Sequence, residues 1–210
     1  LITDNVRFID NEASNSGGAV YAYGQYSANA TTFDSNEASI NGGALYLNWN
    51  KQCVLNNSIL NSVFDSNTAY NGLGGAMFAD TDVTVDIGNS TFQNNFARTA
   101  GGAIAGVIGT INITNSSIAN NGTNFSNSGT FFSNGGTFRT LVGGGVFVGD
   151  ISDMLRLRSS QANELELTGG DYEGQAGEMS LLIQGTQITN NSATFMGGGI
   201  ATLDGIEGFG

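Results

Sequence analysis

The sequence has 210 residues, of which only 11% are charged, against about 25% in an average globular domain. Six Lys and Arg side chains are outnumbered by 18 Asp and Glu side chains, so the net charge is −12 and no basic cluster could neutralise successive phosphates. Nucleic acid and anionic membranes are therefore not expected as partners, and neutral polar residues must cover most of the surface.

The composition changes nowhere sharply enough to mark a second domain, so residues 1–210 are predicted to form one unit. No segment reaches the roughly 18 to 20 uncharged apolar residues of a membrane-spanning helix, and no signal-like segment follows Leu1. We therefore expect the chain to be part of a longer precursor. Cys53 is the single cysteine, which gives no disulfide framework and favours a buried small side chain.

A repeat begins near the start of the chain and continues along it, with a bulky apolar residue followed three positions later by an asparagine. The strong copies are Phe8 with Asn11, Phe33 with Asn36, Phe64 with Asn67 and Phe92 with Asn95, and the weaker ones are Ile118 with Asn121 and Ile188 with Asn191. A fixed period of this kind indicates a solenoid, in which each repeat buries its apolar face against its neighbours.

A glycine pair, a small residue and an aliphatic residue follow most copies after nine or ten residues. The pairs are Gly17-Gly18, Gly42-Gly43, Gly74-Gly75, Gly101-Gly102 and Gly197-Gly198. The related pair Gly143-Gly144 follows Ile118 by 25 residues instead. Residues 122–142 are therefore predicted to form an inserted, protruding loop.

The spacing of the repeat predicts the architecture. Successive bulky positions lie 25, 31, 28 and 26 residues apart, which fits a coil of three short strands, and the short alternating runs favour strands over helices. We predict an all-β, right-handed parallel β-helix, a solenoid of about seven coils. An atypical coil without the motif is predicted over residues 150–187, with strands at 154–158, 164–167 and 181–183.

The geometry of a parallel stack explains why these residues recur. Equivalent positions in successive coils lie about 4.8 Å apart, so identical side chains form ladders. We expect the four phenylalanines to form one interior column and the asparagines to lie at a corner, where their amides can bond the backbone and one another and where Asn tolerates left-handed backbone. The glycine pairs are expected at the next corner. In the strand that follows, residues in phase with Val20 are assigned to the core and the alternate residues to solvent.

The order and spacing of these motifs resemble the GGA-aliphatic and Phe-x-x-Asn repeats of the chlamydial polymorphic outer membrane autotransporter family and of similar protist or algal surface proteins. The likeness covers nearly the whole chain and rests on positions such as Phe8, Asn11, Gly17 and Gly18. The passenger domains of the chlamydial family are β-helical adhesins. The resemblance therefore implies a secreted or cell-surface β-helix.

A carbohydrate lyase or hydrolase is the main alternative, because many β-helices have such activities. Those enzymes combine clustered carboxylates with a basic residue. The sequence has no His, and none of its six basic residues lies beside an evident carboxylate ladder, so we assign no catalytic residue and no cofactor. Ice binding is a further alternative, but it needs a Thr-x-Thr ladder in register, which the sequence does not provide.

Two pairs of like charges occupy equivalent positions in adjacent coils. They are Asp34 with Asp65 and Glu12 with Glu37. Calcium could bridge such carboxylates, but we favour the interpretation that they point into water, where screening weakens their repulsion. No metal ligand is therefore assigned.

Sequons of the form Asn-x-Ser/Thr are candidate N-glycosylation sites if the source is eukaryotic. They begin at Asn29, Asn56, Asn89, Asn112, Asn115, Asn121, Asn124 and Asn190. Their number exceeds the chance expectation only modestly. Those from Asn112 to Asn124 are the best candidates, because a glycan needs an exposed turn.

The sequence thus predicts a structural or adhesive extracellular β-helix, without enzymatic activity, that is part of a surface rod, stalk or filament. The first repeat begins within eight residues of Leu1, and the last glycine-rich strand lies close to Gly210, so neither end has room for a capping helix. Open strand edges are expected to bind other protein segments or subunits, by covalent continuation or by assembly. Glycans are a further candidate partner.

Overall fold

The structure is a computed structural model that describes residues 1–48, 56–107, 109–123, 144–149, 179–193 and 197–203. In these residues the chain forms 24 short strands and no helix. The strands make four parallel sheets of six strands each, and every sheet receives one strand from each of six successive coils. The all-β parallel β-helix predicted from the sequence is confirmed.

The sheets are numbered in the order in which the chain enters them. The first contains β1 (Ile2–Asp4), β5 (Ser27–Asn29), β9 (Asn56–Leu60), β13 (Val83–Gly88), β17 (Gly109–Thr114) and β21 (Met179–Gln184). The second contains β2 (Arg7–Ile9), β6 (Thr32–Asp34), β10 (Val63–Asp65), β14 (Thr91–Gln93), β18 (Ser117–Ala119) and β22 (Gln187–Thr189). The third contains β3 (Glu12–Ala13), β7 (Glu37–Ala38), β11 (Thr68–Ala69), β15 (Phe96–Ala97), β19 (Gly122–Thr123) and β23 (Ser192–Ala193). The fourth contains β4 (Val20–Tyr23), β8 (Leu45–Asn48), β12 (Met77–Ala79), β16 (Ile104–Gly106), β20 (Val146–Gly149) and β24 (Ile200–Leu203).

In the first sheet, buried apolar and more exposed polar side chains alternate along the strand, a pattern that favours a β-strand with one face in the core. In β13, Val83, Val85 and Ile87 are buried, whereas Asp86 between them is exposed. The buried residues of this sheet join those of the second and fourth sheets in one core that runs along the inside of the coils. The core therefore grows with each added coil, as expected for a solenoid.

The prediction of about seven coils with three strands each is wrong in both numbers. The described residues form six coils with four strands per coil. The three strands recognised in the sequence correspond to the second, third and fourth sheets, which contain the motifs. The strand of the first sheet was missed because it has no fixed residue type, only alternation.

The atypical coil predicted over residues 150–187 lies mostly outside the described residues and stays a prediction. β17 pairs directly with β21, and β20 pairs with β24, so the fifth and sixth coils are neighbours. Residues 181–183 therefore belong to β21 in a coil that carries the ordinary motif. The strands predicted at 154–158 and 164–167 lie outside the described residues.

The predicted insertion over residues 122–142 begins inside the stack. Gly122 and Thr123 form β19, which continues the third sheet between β15 and β23. Residues 124–142 lie outside the described residues, as does Cys53.

Candidate functional site

Six asparagines form an interior ladder at the corner between the second and third sheets. They are Asn11, Asn36, Asn67, Asn95, Asn121 and Asn191. Each Oδ1 after that of Asn11 accepts two hydrogen bonds from the asparagine of the preceding coil, one from its Nδ2 and one from its backbone N–H. These donor–acceptor distances range from 2.8 to 3.1 Å.

Asn67 illustrates how the ladder satisfies a buried amide. Its side chain is fully buried, and its Nδ2 donates to the carbonyl oxygen of Phe33 at 3.0 Å and to Oδ1 of Asn95 at 2.9 Å. Its Oδ1 accepts from Nδ2 and from the backbone N–H of Asn36. A buried polar network in which every member is bonded rigidifies the core, whereas an incomplete one is costly.

The left-handed residue at this corner precedes the asparagine. These residues are Asp10, Ser35, Ser66, Asn94, Asn120 and Asn190, with φ between 52° and 58°. The ladder asparagines tolerate this conformation but do not adopt it. The chain turns the corner at the preceding residue, so each asparagine side chain points into the ladder.

The four phenylalanines form one interior column on the second sheet. Ring centroids are 5.1 Å apart between Phe8 and Phe33, 4.4 Å between Phe33 and Phe64, and 4.6 Å between Phe64 and Phe92. Ile118 and then Ile188 continue the column in register. Three of the four rings are fully buried and that of Phe8, in the first coil, is half-buried.

A second polar ladder lies at the corner between the first and second sheets, and the sequence reasoning missed it. Its members are Thr31, Ser62, Ser90, Ser116 and Thr186. Each hydroxyl oxygen after Thr31 accepts a hydrogen bond from the backbone N–H of the preceding member, at 3.1 or 3.2 Å. The signal was a Ser or Thr two residues before each bulky residue of the column from Phe33 onward.

The two glycines of each pair meet different requirements. The first glycine of five pairs has φ between 61° and 69°, a left-handed conformation that favours glycine. The second glycine lies against the neighbouring coil, and a Cβ built on Gly43 would stand 2.0 Å from the carbonyl oxygen of Gly75. A side chain at this position would therefore hold the coils apart.

The outward side of the fourth sheet is apolar, and the assignment of its residues to solvent is wrong for the buried ones from Tyr46 to Phe147. In register along it lie Tyr21, Tyr46, Phe78, Ala105, Phe147 and Ala201. Phe78, Ala105 and Phe147 are fully buried and belong to a second hydrophobic cluster outside the coil. The polar residues Asn48 and Asp80 follow Tyr46 and Phe78 by two residues, and they suggested a solvent-facing side.

The first coil leaves two tyrosines of this side exposed. Tyr21 is 54% exposed and Tyr23 is 65% exposed. The ring of Tyr21 stacks on Tyr46 with centroids 4.7 Å apart, and Nδ2 of Asn48 donates to the hydroxyl oxygen of Tyr21 at 3.0 Å. The hydroxyl of Tyr46 in turn donates to the carboxylate of Asp80. The exposed aromatic surface is thus held in a defined orientation.

The like-charged pairs lie in register on neighbouring strands. Asp34 is beside Asp65 on the second sheet, and Glu12 is beside Glu37 on the third. Burial raises the pKa of Asp65, but hydrogen bonds from Gln93 and two further side chains outweigh it and lower the pKa below its usual value. Within the described ranges no three His, Cys, Asp or Glu side chains come together as a metal site.

The charges of Glu12 and Glu37 affect a tyrosine that follows the third-sheet strand β11. The pKa of Tyr70 is raised, first by its hydrogen bond to Glu37, then by burial, and then by the charges of Glu37 and Glu12. Tyr70 is 49% exposed, so this carboxylate-rich surface is in contact with solvent.

The candidate glycosylation sites fall into four groups. Exposed side chains are found at Asn29, Asn56, Asn89, Asn115 and Asn190. Asn112 is half-buried and its Nδ2 donates to Asp86 at 2.7 Å. Asn121 is 1% exposed and belongs to the ladder, so the folded chain offers no access to its amide. Asn124 lies outside the described residues.

These ladders, the aromatic column and the paired glycines define a β-helix repeat protein, in which the repeated residues bind each coil to the next. Three segments match the family model of the Chlamydia polymorphic membrane protein repeat, at residues 5–23, 30–48 and 89–107. The resemblance predicted from the motifs is confirmed, and the chain is a repeat β-helix similar to those proteins. No curated protein and no solved structure gave a match to the chain.

The matched segments have a structural meaning. Each begins at the left-handed residue that precedes the second-sheet strand, namely Asn5, Ala30 or Asn89. Each ends at, or one residue beyond, the last residue of a fourth-sheet strand. The repeat therefore comprises the second, third and fourth strands of a coil, and the first strand lies outside it. Among the described residues, no helix has the length and apolarity required to span a membrane.

Proposed function

We propose that this chain is a structural or adhesive extracellular β-helix that forms part of a rod, stalk or filament at a cell surface. The matched repeat bears the name of a membrane protein family, which supports a surface location. The polar surface has few charges, in keeping with a protein that functions as a scaffold rather than through a charged ligand site.

The observation that carries the proposal is the repeated chemistry that joins one coil to the next. From Asn11 to Asn191, each ladder asparagine that precedes another donates from its Nδ2 and its backbone N–H to Oδ1 of the following one, at 2.8 to 3.1 Å. Because every junction is alike, coils of this kind can be joined in any number, as a rod or filament requires.

Exposed aromatic residues support the adhesive part of the proposal. Tyrosine is enriched in protein interfaces because its ring buries much apolar area while its hydroxyl retains a polar partner. Tyr21 and Tyr23 provide such a surface on the outward side of the fourth sheet. The stacking of Tyr21 on Tyr46 orders it before any partner binds.

The carbohydrate-active alternative has weaker support. Asp34 and Asp65 are neighbouring outward carboxylates, an arrangement that glycosidases use. A general acid in such a pair needs a raised pKa, whereas the pKa of Asp65 is lowered by its hydrogen bonds. Outward threonines of the second sheet also fail to form an ice-binding ladder, because Val63 separates Thr32 from Thr91.

Imaging of the native full-length protein tests the proposal. Electron microscopy should show rods of constant width whose length grows by about 4.8 Å for each coil. Replacement of Asn191 by leucine removes the Nδ2 donor of the sixth coil together with the acceptor for Asn121, and Asn121→Leu, which causes the same loss inside the stack, is the matched control. Shorter assemblies for Asn191→Leu alone would indicate joined subunits, and unchanged rods would indicate a covalent stalk. Compact particles without elongation would refute the proposal.

A further inference from the structure

Three Asn-Gly dipeptides in the described residues have very different surroundings. They are Asn41-Gly42, Asn71-Gly72 and Asn121-Gly122, and a fourth, at 134–135, lies outside the described residues. Asparagine followed by glycine is prone to deamidation, because the backbone nitrogen of a residue without a Cβ can reach and attack the side-chain amide carbon. The folded structure decides which of the three can react.

The first difference is the state of the glycine N–H, which must lose its proton to become the nucleophile. The N–H of Gly42 donates to the carbonyl oxygen of Leu73 at 2.9 Å, and that of Gly122 donates to the carbonyl oxygen of Asn95 at 3.0 Å. The N–H of Gly72 donates no hydrogen bond within the described residues. Gly72 is buried against Ile40 and Asn41 of the preceding coil, but movement of its nitrogen breaks no hydrogen bond of its own within the described residues.

The second difference is the state of the asparagine side chain. Asn41 is 7% exposed and its Oδ1 accepts from the N–H of Leu73, while Asn121 is 1% exposed within the ladder. Asn71 is exposed to the water that hydrolysis requires. Its Oδ1 accepts a hydrogen bond from Nη1 of Arg98 at 2.8 Å, and its Nδ2 donates to the carbonyl oxygen of Ser39 at 3.0 Å.

We propose that Asn71 is a site of spontaneous deamidation in the folded protein, promoted by Arg98. The N–H of Gly72 gives its proton to hydroxide, and the nitrogen attacks Cγ of Asn71 while negative charge develops on Oδ1. The guanidinium of Arg98 stabilises that charge, as an oxyanion-hole donor does. The bond from Cγ to Nδ2 then breaks, and ammonia leaves with a proton supplied by water.

Hydrolysis completes the reaction. Water opens the resulting succinimide ring at either of its carbonyl groups and yields an aspartyl or an isoaspartyl residue at position 71. The new carboxylate lies beside Arg98, and the net charge falls by one from −12 to −13. The isoaspartyl product also adds a backbone carbon to the connection between β11 and β12, which is tied to a neighbouring coil by the bond from Thr99 to Gly72.

Peptide mapping by mass spectrometry of the full native chain, after incubation in mildly alkaline buffer, tests the proposal with two internal controls. We expect Asn71 to deamidate more than about tenfold faster than Asn41 and Asn121, a factor that corresponds to one charge-assisted hydrogen bond. In urea the three sites should react at similar rates, because the fold no longer distinguishes them. Equal rates in the native chain, or no reaction at Asn71, would overturn the proposal.

A variant separates the part played by Arg98 from simple exposure. Arg98→Gln should slow deamidation of the native Asn71 by about tenfold and leave its rate in urea unchanged. Arg98→Lys should restore part of the rate, because the ammonium group keeps the charge. A faster reaction in Arg98→Gln would show that Arg98 holds the loop still rather than promoting attack, and would refute its assigned role.

Discussion

Replacement of Asn67 by alanine tests whether the asparagine ladder binds the coils together. The substitution leaves the backbone N–H and one Nδ2 hydrogen of Asn36 without their acceptor, which now lies 3.0 and 2.9 Å away. A buried donor without a partner costs about 1 to 3 kcal/mol, so the two together cost about 2 to 6 kcal/mol. Because alanine needs no desolvation of its own, we expect a loss of about 3 kcal/mol in the free energy of unfolding.

Asn11→Ala is the matched control, because Asn11 has the same motif position but its Oδ1 accepts no hydrogen bond in the described residues. Its replacement strands no donor, and we expect a loss below about 1 kcal/mol. Urea denaturation followed by circular dichroism measures both, and hydrogen exchange detects partial unfolding, which repeat proteins can show. Equal losses for the two variants would refute the assignment of the stability to the ladder.

Three other predictions follow from the stack. Phe64→Ala should lower the free energy of unfolding by about 3 to 5 kcal/mol in calorimetry, because the Phe64 ring stacks on a phenylalanine at each face. A smaller loss than that caused by Phe8→Ala, which removes a half-buried ring, would contradict the column. Gly43→Ala should prevent coil closure, since its Cβ would stand 2.0 Å from a carbonyl oxygen, and a native-like circular dichroism spectrum would argue against this. Because the pKa of Asp65 is lower in the folded chain than in the unfolded chain, its ionised carboxylate stabilises the fold above the unfolded pKa, and this stability is lost as pH falls through the folded pKa. Asp65→Asn should therefore flatten the acid dependence of the denaturation midpoint, and an unchanged slope would refute this prediction.

Those parts of the fold could be predicted in which only one type of residue meets the physical requirement. The spacing of Phe33 and Phe64 predicted the column, and the paired glycines predicted a close corner. The strand of the first sheet was not visible, since β13 and β17 need only an apolar inward side, which many residues provide. The number of strands per coil was therefore wrong although the fold class was right.

Two kinds of residue were assigned wrongly or missed in the sequence. Phe78 follows Met77 and precedes Ala79, so the strand is apolar on both sides and its alternation gives no direction. The hydroxyls of Ser62 and Ser90 accept backbone hydrogen bonds in the interior, yet in sequence they resemble ordinary turn residues. Burial of small polar groups depends on partners in other coils, which a single repeat does not reveal.

The common orientation of the ladder amides has an electrical consequence. Every side-chain carbonyl in the ladder points toward the preceding coil, so the amide dipoles add along the axis as peptide dipoles do in an α-helix. Hydrogen bonds in such a chain polarise one another, which strengthens those in the middle more than those at the termini. The stack should therefore fray from its outermost coils, and its core around Asn67 and Asn95 should be the last part to open.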